Sequence, residues 1–343
     1  MATTETKVLD NIIASRRAML IGGGAALAAL AVATPAKAAN TVTTYSDTDI
    51  LNFALNLEYL EANFYYLAAF GTTIDKPNPA SVAAGGPTTG IGITGSSVGT
   101  PGVVIAKPNP MVPFSTVQVG SYATETAIEE GKHVSFLRSA LGSAAVSQPA
   151  IDLLTSWNTL ANAAGIGPVF DPFASDATFL IGAYVFEDVG VTAYHGAAPL
   201  ISRTDAGKKI LGAAVGIHAV EAYHAGLVRT SINILDPDGS KGLIGYTQQI
   251  SALRTKLAQA VPGTTAITTP YGDDVPLTPG SNMFNVGGTM VPTTTIVDAD
   301  LTTVRGFART TTQVLNIVTG GGAIASGTAK GVFFPAGLNG LFS

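Results

Sequence analysis

Glutamate is rare in this chain, and where it falls constrains the fold more than any other feature. There are eight glutamates, and one lies within the first 38 residues. The other seven are Glu58, Glu61, Glu125, Glu129, Glu130, Glu187 and Glu221. They fall in four stretches that read as long, mostly apolar helices. The first stretch, Asp47–Phe70, and the third, Asp176–Leu200, contain no Lys or Arg. A carboxylate buried in such a helix has no local cation, and burying it unpaired costs several kcal/mol or forces protonation. It must therefore face solvent or face a cation that the chain does not supply, such as a metal ion.

The histidines sharpen the choice. Of the four, two occur as Glu130-Gly131-Lys132-His133 and Glu221-Ala222-Tyr223-His224. Spacing of three residues puts both side chains of each motif on one helix face. The arrangement also repeats. Glu58 is followed seven residues later by Tyr65, and Glu187 by Tyr194, so each Tyr is expected above its own Glu. Each such helix precedes a Glu-x-x-His helix, and Arg138 and Arg229 stand five residues after the histidines. Two helix pairs related by a pseudo-twofold would bring four carboxylates and two imidazoles to one centre, and two divalent ions would balance the carboxylate charge.

The coarse reading of the rest is helical with long loops. Ser46–Phe70, Thr116–Leu141, Ser175–Pro199 and Thr204–Leu235 form the four long helices, with Ser46 and Asp49 as a capping box and Gly71 as a stop. A shorter helix is expected over Pro149–Ala164, another over residues 240–260 and a last one over Asp298–Thr319. Residues 71–114 and 262–297 are rich in Gly, Pro and Thr and read as loops, the first with a possible hairpin. The apolar tail around Phe333-Phe334-Pro335 is expected to pack back on the body.

This pattern resembles the ferritin-like superfamily of di-metal carboxylate bundles. The stretches Asn56–Glu61, Phe186–Tyr194 and Val220–Gly226 look like its exported bacterial branch, which is similar to the plant desiccation-related proteins. The resemblance implies an all-α, antiparallel four-helix bundle with long loop insertions and an extra C-terminal helix. It implies a bundle core over about 46–235, a C-terminal extension over 236–343 and a crossover between hairpins in 142–175. It carries the metal ligands over to Glu58, Glu130, His133, Glu187, Glu221 and His224. Glu61, one turn after Glu58, is a possible replacement or extra ligand, and His218 another. Packing or support of the ligands is the other reading of His218, and also of His195. Tyr65 and Tyr194 are expected to hydrogen-bond ligand carboxylates. Glu125 and Glu129 read as solvated, and Arg138 and Arg229 as ordinary charges near helix C-termini.

Residues 1–38 read as an address. Arg16-Arg17 precede a Gly/Ala-rich apolar run, and Pro35-Ala36-Lys37-Ala38 offers a small-residue cleavage site. The pair and the mild hydrophobicity resemble a twin-arginine signal, which implies an exported, periplasmic or extracellular domain over 39–343 with no membrane span after removal. Removal takes the formal charge from −5 to −7, since the segment holds four basic and two acidic side chains. With 18 Lys+Arg in all, nucleic acid is not an expected partner. The absence of cysteine excludes thiolate metal sites and disulfides. Ligation by oxygen and nitrogen suits two ions of iron or manganese, with zinc open. The expected function is redox handling of iron(II), oxygen or peroxide in oxidative or drying stress. The rival is a non-catalytic, stress-protective or envelope protein that keeps the bundle. A storage cage fits less well with the added loops, and an oligomer is left open.

Overall fold

The computed structural model describes residues 45–83, 85, 87–95, 100–264, 273–323 and 329–341. The signal expected over 1–38 lies outside the described residues. The elements in order are α1 (Asp47–Phe70), α2 (Pro79–Ala83), β1 (Val104–Ile105), α3 (Val117–Leu141), β2 (Ile151–Asp152) and α4 (Thr155–Ala164). They continue with α5 (Asp176–Ala197), α6 (Asp205–Leu235), α7 (Leu243–Gln259), β3 (Thr278–Val286), β4 (Thr289–Thr295) and α8 (Thr311–Val318).

The four long helices form the bundle. Helix α1 packs along α3, and α5 along α6. Each pair is antiparallel: Tyr59 meets Arg138 while Tyr66 lies against Gly131, and Tyr184 meets Arg229 while Gly190 lies against Glu221. The starts are fixed by side chains. Ser46 and Asp49 close a full capping box on α1, and Ser175 with Thr178 does so on α5. Gly71 ends α1 at φ 69°, in the left-handed region that a side chain disfavours. Helix α6 is long and apolar enough by composition to cross a membrane. In this fold it is a bundle helix that turns Glu221 and His224 inward.

The core is aromatic. The Phe64 ring lies 5.5 Å from Trp157, 5.2 Å from Phe186 and 5.6 Å from Phe173, centroid to centroid. The tail closes this cluster, with Phe333 at 5.2 Å from Trp157 and 5.0 Å from Phe186. Aromatic burial on this scale dominates the packing energy.

Several expected elements differ. The helix expected from Pro149 begins at Thr155, because β2 first pairs in parallel with β1 and Asp152 then caps the Leu154 and Thr155 amides. The possible hairpin in 71–114 is therefore a crossing to a distant strand. Residues 262–297 hold a true hairpin, β3–β4, turning at Gly287 and Gly288 with φ of 57° and 91°. The helix expected from Asp298 starts only at Thr311. Asp298 accepts the Val275 amide, and Asp300 accepts the amides of Thr302 and Thr303 in a turn. Thr310 and Gln313 then form the capping box that starts α8.

Candidate metal centre

Each bundle helix contributes to one buried polar core. Glu58 comes from α1, Glu130 and His133 from α3, Glu187 from α5, and Glu221 and His224 from α6. Their potential donor atoms fall into two overlapping groups, Glu58–Glu130–His133–Glu221 and Glu130–Glu187–Glu221–His224. Glu130 and Glu221 belong to both. His133 Nδ1 lies 3.3 Å from Glu58, 3.5 Å from Glu130 and 3.4 Å from Glu221. His224 Nδ1 lies 3.0 Å from Glu130 and 3.5 Å from Glu187.

The electrostatics are those of a site built around a cation. Burial lifts Glu58 to about 7, against the pull of His133. Burial and the carboxylates of Glu130 and Glu58 lift Glu221 well above the usual carboxylate range. Burial alone would raise Glu130 too, but the neighbouring His133 and His224 rings hold it below the usual carboxylate range. Burial opposes protonation of both histidines, and the surrounding carboxylates outweigh it and raise them. Eight buried atoms of these six residues lack a hydrogen-bond partner, including both oxygens of Glu130 and Glu221 and Nδ1 of both histidines. Unpartnered buried atoms are costly, and a pair of cations would satisfy them together. The oxygen and nitrogen donors fit iron, manganese or zinc, with no soft ligand among them.

The tyrosines bridge across the bundle. The Tyr65 hydroxyl donates to Glu187, and the Tyr194 hydroxyl donates to Glu58. Each tyrosine bonds a candidate ligand carboxylate, as expected, and because α1 and α5 run antiparallel each hydroxyl reaches the glutamate of the other helix. The solvated reading of Glu129 is corrected. It is not simply solvated, since its Oε2 lies 2.8 Å from His224 Nε2 and can orient that ring from outside. Glu125 is exposed. Glu61 is buried beside the core but belongs to neither group. His218 belongs to neither group. Its ring turns toward His195, 5.8 Å between centroids, and His195 Nδ1 contacts the Phe307 carbonyl.

Gly190 was not anticipated. A Cβ there would stand 2.4 Å from Glu221 Oε2, so a side chain at this position would push the carboxylate from its place on the α5 face. Its signal was its place three residues after Glu187, on the same face. Gly190→Ala is expected to displace Glu221 and lower metal content while the helical circular dichroism persists.

A second acidic group, Asp188, Asp274 and Asp298, lies one residue along from Glu187. Guanidinium groups already neutralise it. Arg229 reaches Asp188 at 2.8 Å, Arg254 reaches Asp188 at 2.9 Å and Asp274 at 2.7 Å, and Arg309 reaches Asp274 at 3.0 Å. Arg229 is therefore a buried ion-pair partner and not an ordinary helix-end charge, while Arg138 donates to Tyr59 and to the Thr94 carbonyl. Asp298 is pushed up to about 8 by burial and by the Asp274 and Asp188 carboxylates.

The fold and this core define a ferritin-like bundle, and the comparisons agree. The ferritin-like domain family matches residues 46–233, and the chain belongs to that family. The desiccation-related protein PCC13-62 of Craterostigma plantagineum is 33% identical over 221 residues, covering 62% of each chain. The ferritin-like catalase Nec2 of Nesocodon mauritianus is 26% identical over 222 residues, covering 62% of this chain and 63% of the relative. The matched region thus spans less than two thirds of either relative. No solved structure matches the chain at a significant level.

Proposed function

We propose that this is an exported di-metal carboxylate protein that consumes peroxide or oxidises iron(II) under oxidative or drying stress. The eight unpartnered donor atoms in one buried core carry the reading. The names of the two relatives, one desiccation-related and one a ferritin-like catalase, support its direction.

Glu58 with His133, and Glu187 with His224, would each hold one ion. Glu130 and Glu221 would be shared between the two. Bound there, iron or manganese would supply reversible one- or two-electron chemistry. The chain's own part is to hold the donors and keep bulk water out, since Glu130 and Glu221 are 0% exposed. Tyr65 and Tyr194 fix the terminal carboxylates by donating to them. Glu61 lies buried beside the core, where burial and the neighbouring Glu221 lift its carboxyl well above the usual range.

Manganese-loaded protein should convert two peroxides to one oxygen and two waters, and iron(II)-loaded protein should consume oxygen. His133→Ala should abolish either activity while leaving the bundle folded. Metal-replete protein that consumes neither oxidant would point to the non-catalytic reading. Tyr194→Phe or Tyr65→Phe should weaken metal binding by about 10- to 100-fold, as loss of ligand-supporting hydrogen bonds does; equilibrium dialysis reads this.

Export is part of the proposal. Lysines in place of Arg16-Arg17 should leave folded precursor in the cytoplasm, read by fractionation and immunoblot. Unchanged export would mean a different route.

A further inference from the structure

The outer face of helix α6 is apolar and open to solvent. Only 22% of the most apolar stretch of this helix is buried. Tyr223 is 72% exposed and Ile234 58%, and Leu227 and Ala219 are exposed with them. Gly216, Ala219, Tyr223, Leu227, Thr230 and Ile234 recur every three or four residues, so they form one stripe. Of residues 210–235, the acidic and basic side chains are Glu221 and Arg229, and both are buried. The stripe is therefore without charge along its length.

Three glycines on this helix are not explained by the chain's own packing. A Cβ at Gly212, Gly216 or Gly226 would meet nothing within 4 Å. Glycine inside a helix costs about 0.5–1 kcal/mol relative to alanine. Bare backbone facing open space fits a neighbour that comes close to the helix. The large side chains of the same face match these gaps. A second copy turned antiparallel about a twofold axis at Tyr223 would set Ile234 against Gly212 and Thr230 against Gly216. It would also set Val220 against Gly226 and Leu227 against Ala219. The ends match in charge. Lys208 and Lys209 at the start of the helix would come to Asp238, just past its end, and all three are exposed. Cations are favoured at a helix C-terminus, where this pairing places them. A lipid surface would use the apolar stripe but neither the glycines nor the opposite charges.

We infer that α6 is the interface of a homodimer, in which it packs antiparallel on the α6 of a second copy with Tyr223 at the twofold axis. An interface of this kind must be complementary to itself, and large side chains opposite glycine or alanine make it so. The stripe from Gly212 to Ile234 is about 33 Å long at 1.5 Å per residue. One helix pair is a small interface, so a dissociation constant on the order of micromolar is expected. Glu221 and His224 lie on the opposite, buried face of the helix, so pairing leaves the candidate ligands in place.

The chain has no cysteine, so single introduced cysteines report the register. Full-length protein is followed by sedimentation from micromolar concentrations upward, and the cysteine variants are treated with a mild oxidant. The unaltered chain should sediment as a monomer–dimer equilibrium. Tyr223→Glu should weaken the dimer more than about 100-fold, because two like charges would meet at the axis. Its helical circular dichroism should be unchanged, since position 223 is exposed. Tyr223→Cys should give a disulfide-linked dimer. Ala219→Cys alone should not, because its two copies would stand about 12 Å apart along the helices. A mixture of Ala219→Cys with Leu227→Cys should cross-link. Protein that stays monomeric, a dimer untouched by Tyr223→Glu, or cross-linking by Ala219→Cys alone but not by the mixture would overturn the inference. Phosphatidylcholine vesicles are the second probe. Flotation that depends on Tyr223, in protein that does not dimerise, would assign the stripe to a lipid surface and overturn the dimer.

Discussion

Protein stripped by a chelator is expected to melt well below the metal-loaded form. Ions that bind only the folded state add stability by mass action, about 4 kcal/mol for each site at a thousandfold excess over its dissociation constant. The gap should also widen with pH. Burial raises Glu58 to about 7 in the folded, metal-free chain, against 4.5 as its ordinary value. A raised carboxyl favours the folded state while it holds its proton, and that contribution is lost as pH rises through about 7. The stripped form should therefore weaken from about pH 5 to pH 8, while the loaded form, whose carboxylates are neutralised by metal, should not. Scanning calorimetry at several pH values with and without chelator reads both effects. Glu130→Ala should erase the difference, since Glu130 belongs to both ligand groups. A gap that persists unchanged in Glu130→Ala would place the stabilising ion elsewhere.

Arg254→Met is expected to be the most damaging substitution outside the metal core. Arg254 is buried, holds Asp188 and Asp274 together, and lies with its guanidinium carbon 4.7 Å from the Tyr184 ring centroid. Removing one partner of a buried ion pair typically costs about 3–5 kcal/mol, because the remaining charges stay buried and uncompensated. Asp188 belongs to α5 and Asp274 to the segment after α7, so this lock holds the C-terminal extension on the bundle. Denaturant melts should show the full loss, and limited proteolysis should cut first after residue 236. A loss below about 1 kcal/mol would show that the cluster is not a lock. Because Asp188 adjoins Glu187, the same variant should also loosen metal binding.

The bundle and the meeting of six side chains were readable because helical spacing is local information. Two Glu-x-x-His motifs and two lone glutamates on cation-free helices leave one compact way to bury them. What could not be read was set by distant partners. Arg229 stands five residues after His224 and looks like a helix-end charge, yet its partner Asp188 lies on another helix. Glu129 follows the helix pattern of a surface residue, and only the approach of α6 gives it His224. Asp298–Thr310 falls inside the expected last helix, but the Asp298 carboxylate is drawn to the Val275 amide and the turn at Asp300 interrupts the run. The β3–β4 hairpin was hidden in a window whose Gly and Pro content reads as loop. Convergence was thus legible; occupancy by metal is a separate matter, because an empty polar core and a loaded one have the same sequence.

Elemental analysis of full-length protein, purified without chelator and compared with Glu130→Ala, measures whether the buried carboxylate–histidine core holds metal. About two ions of iron or manganese per chain are expected, with most of that lost in the variant. Metal-free protein that stays so after incubation with iron(II) or manganese(II), or a metal content untouched by Glu130→Ala, would contradict that expectation.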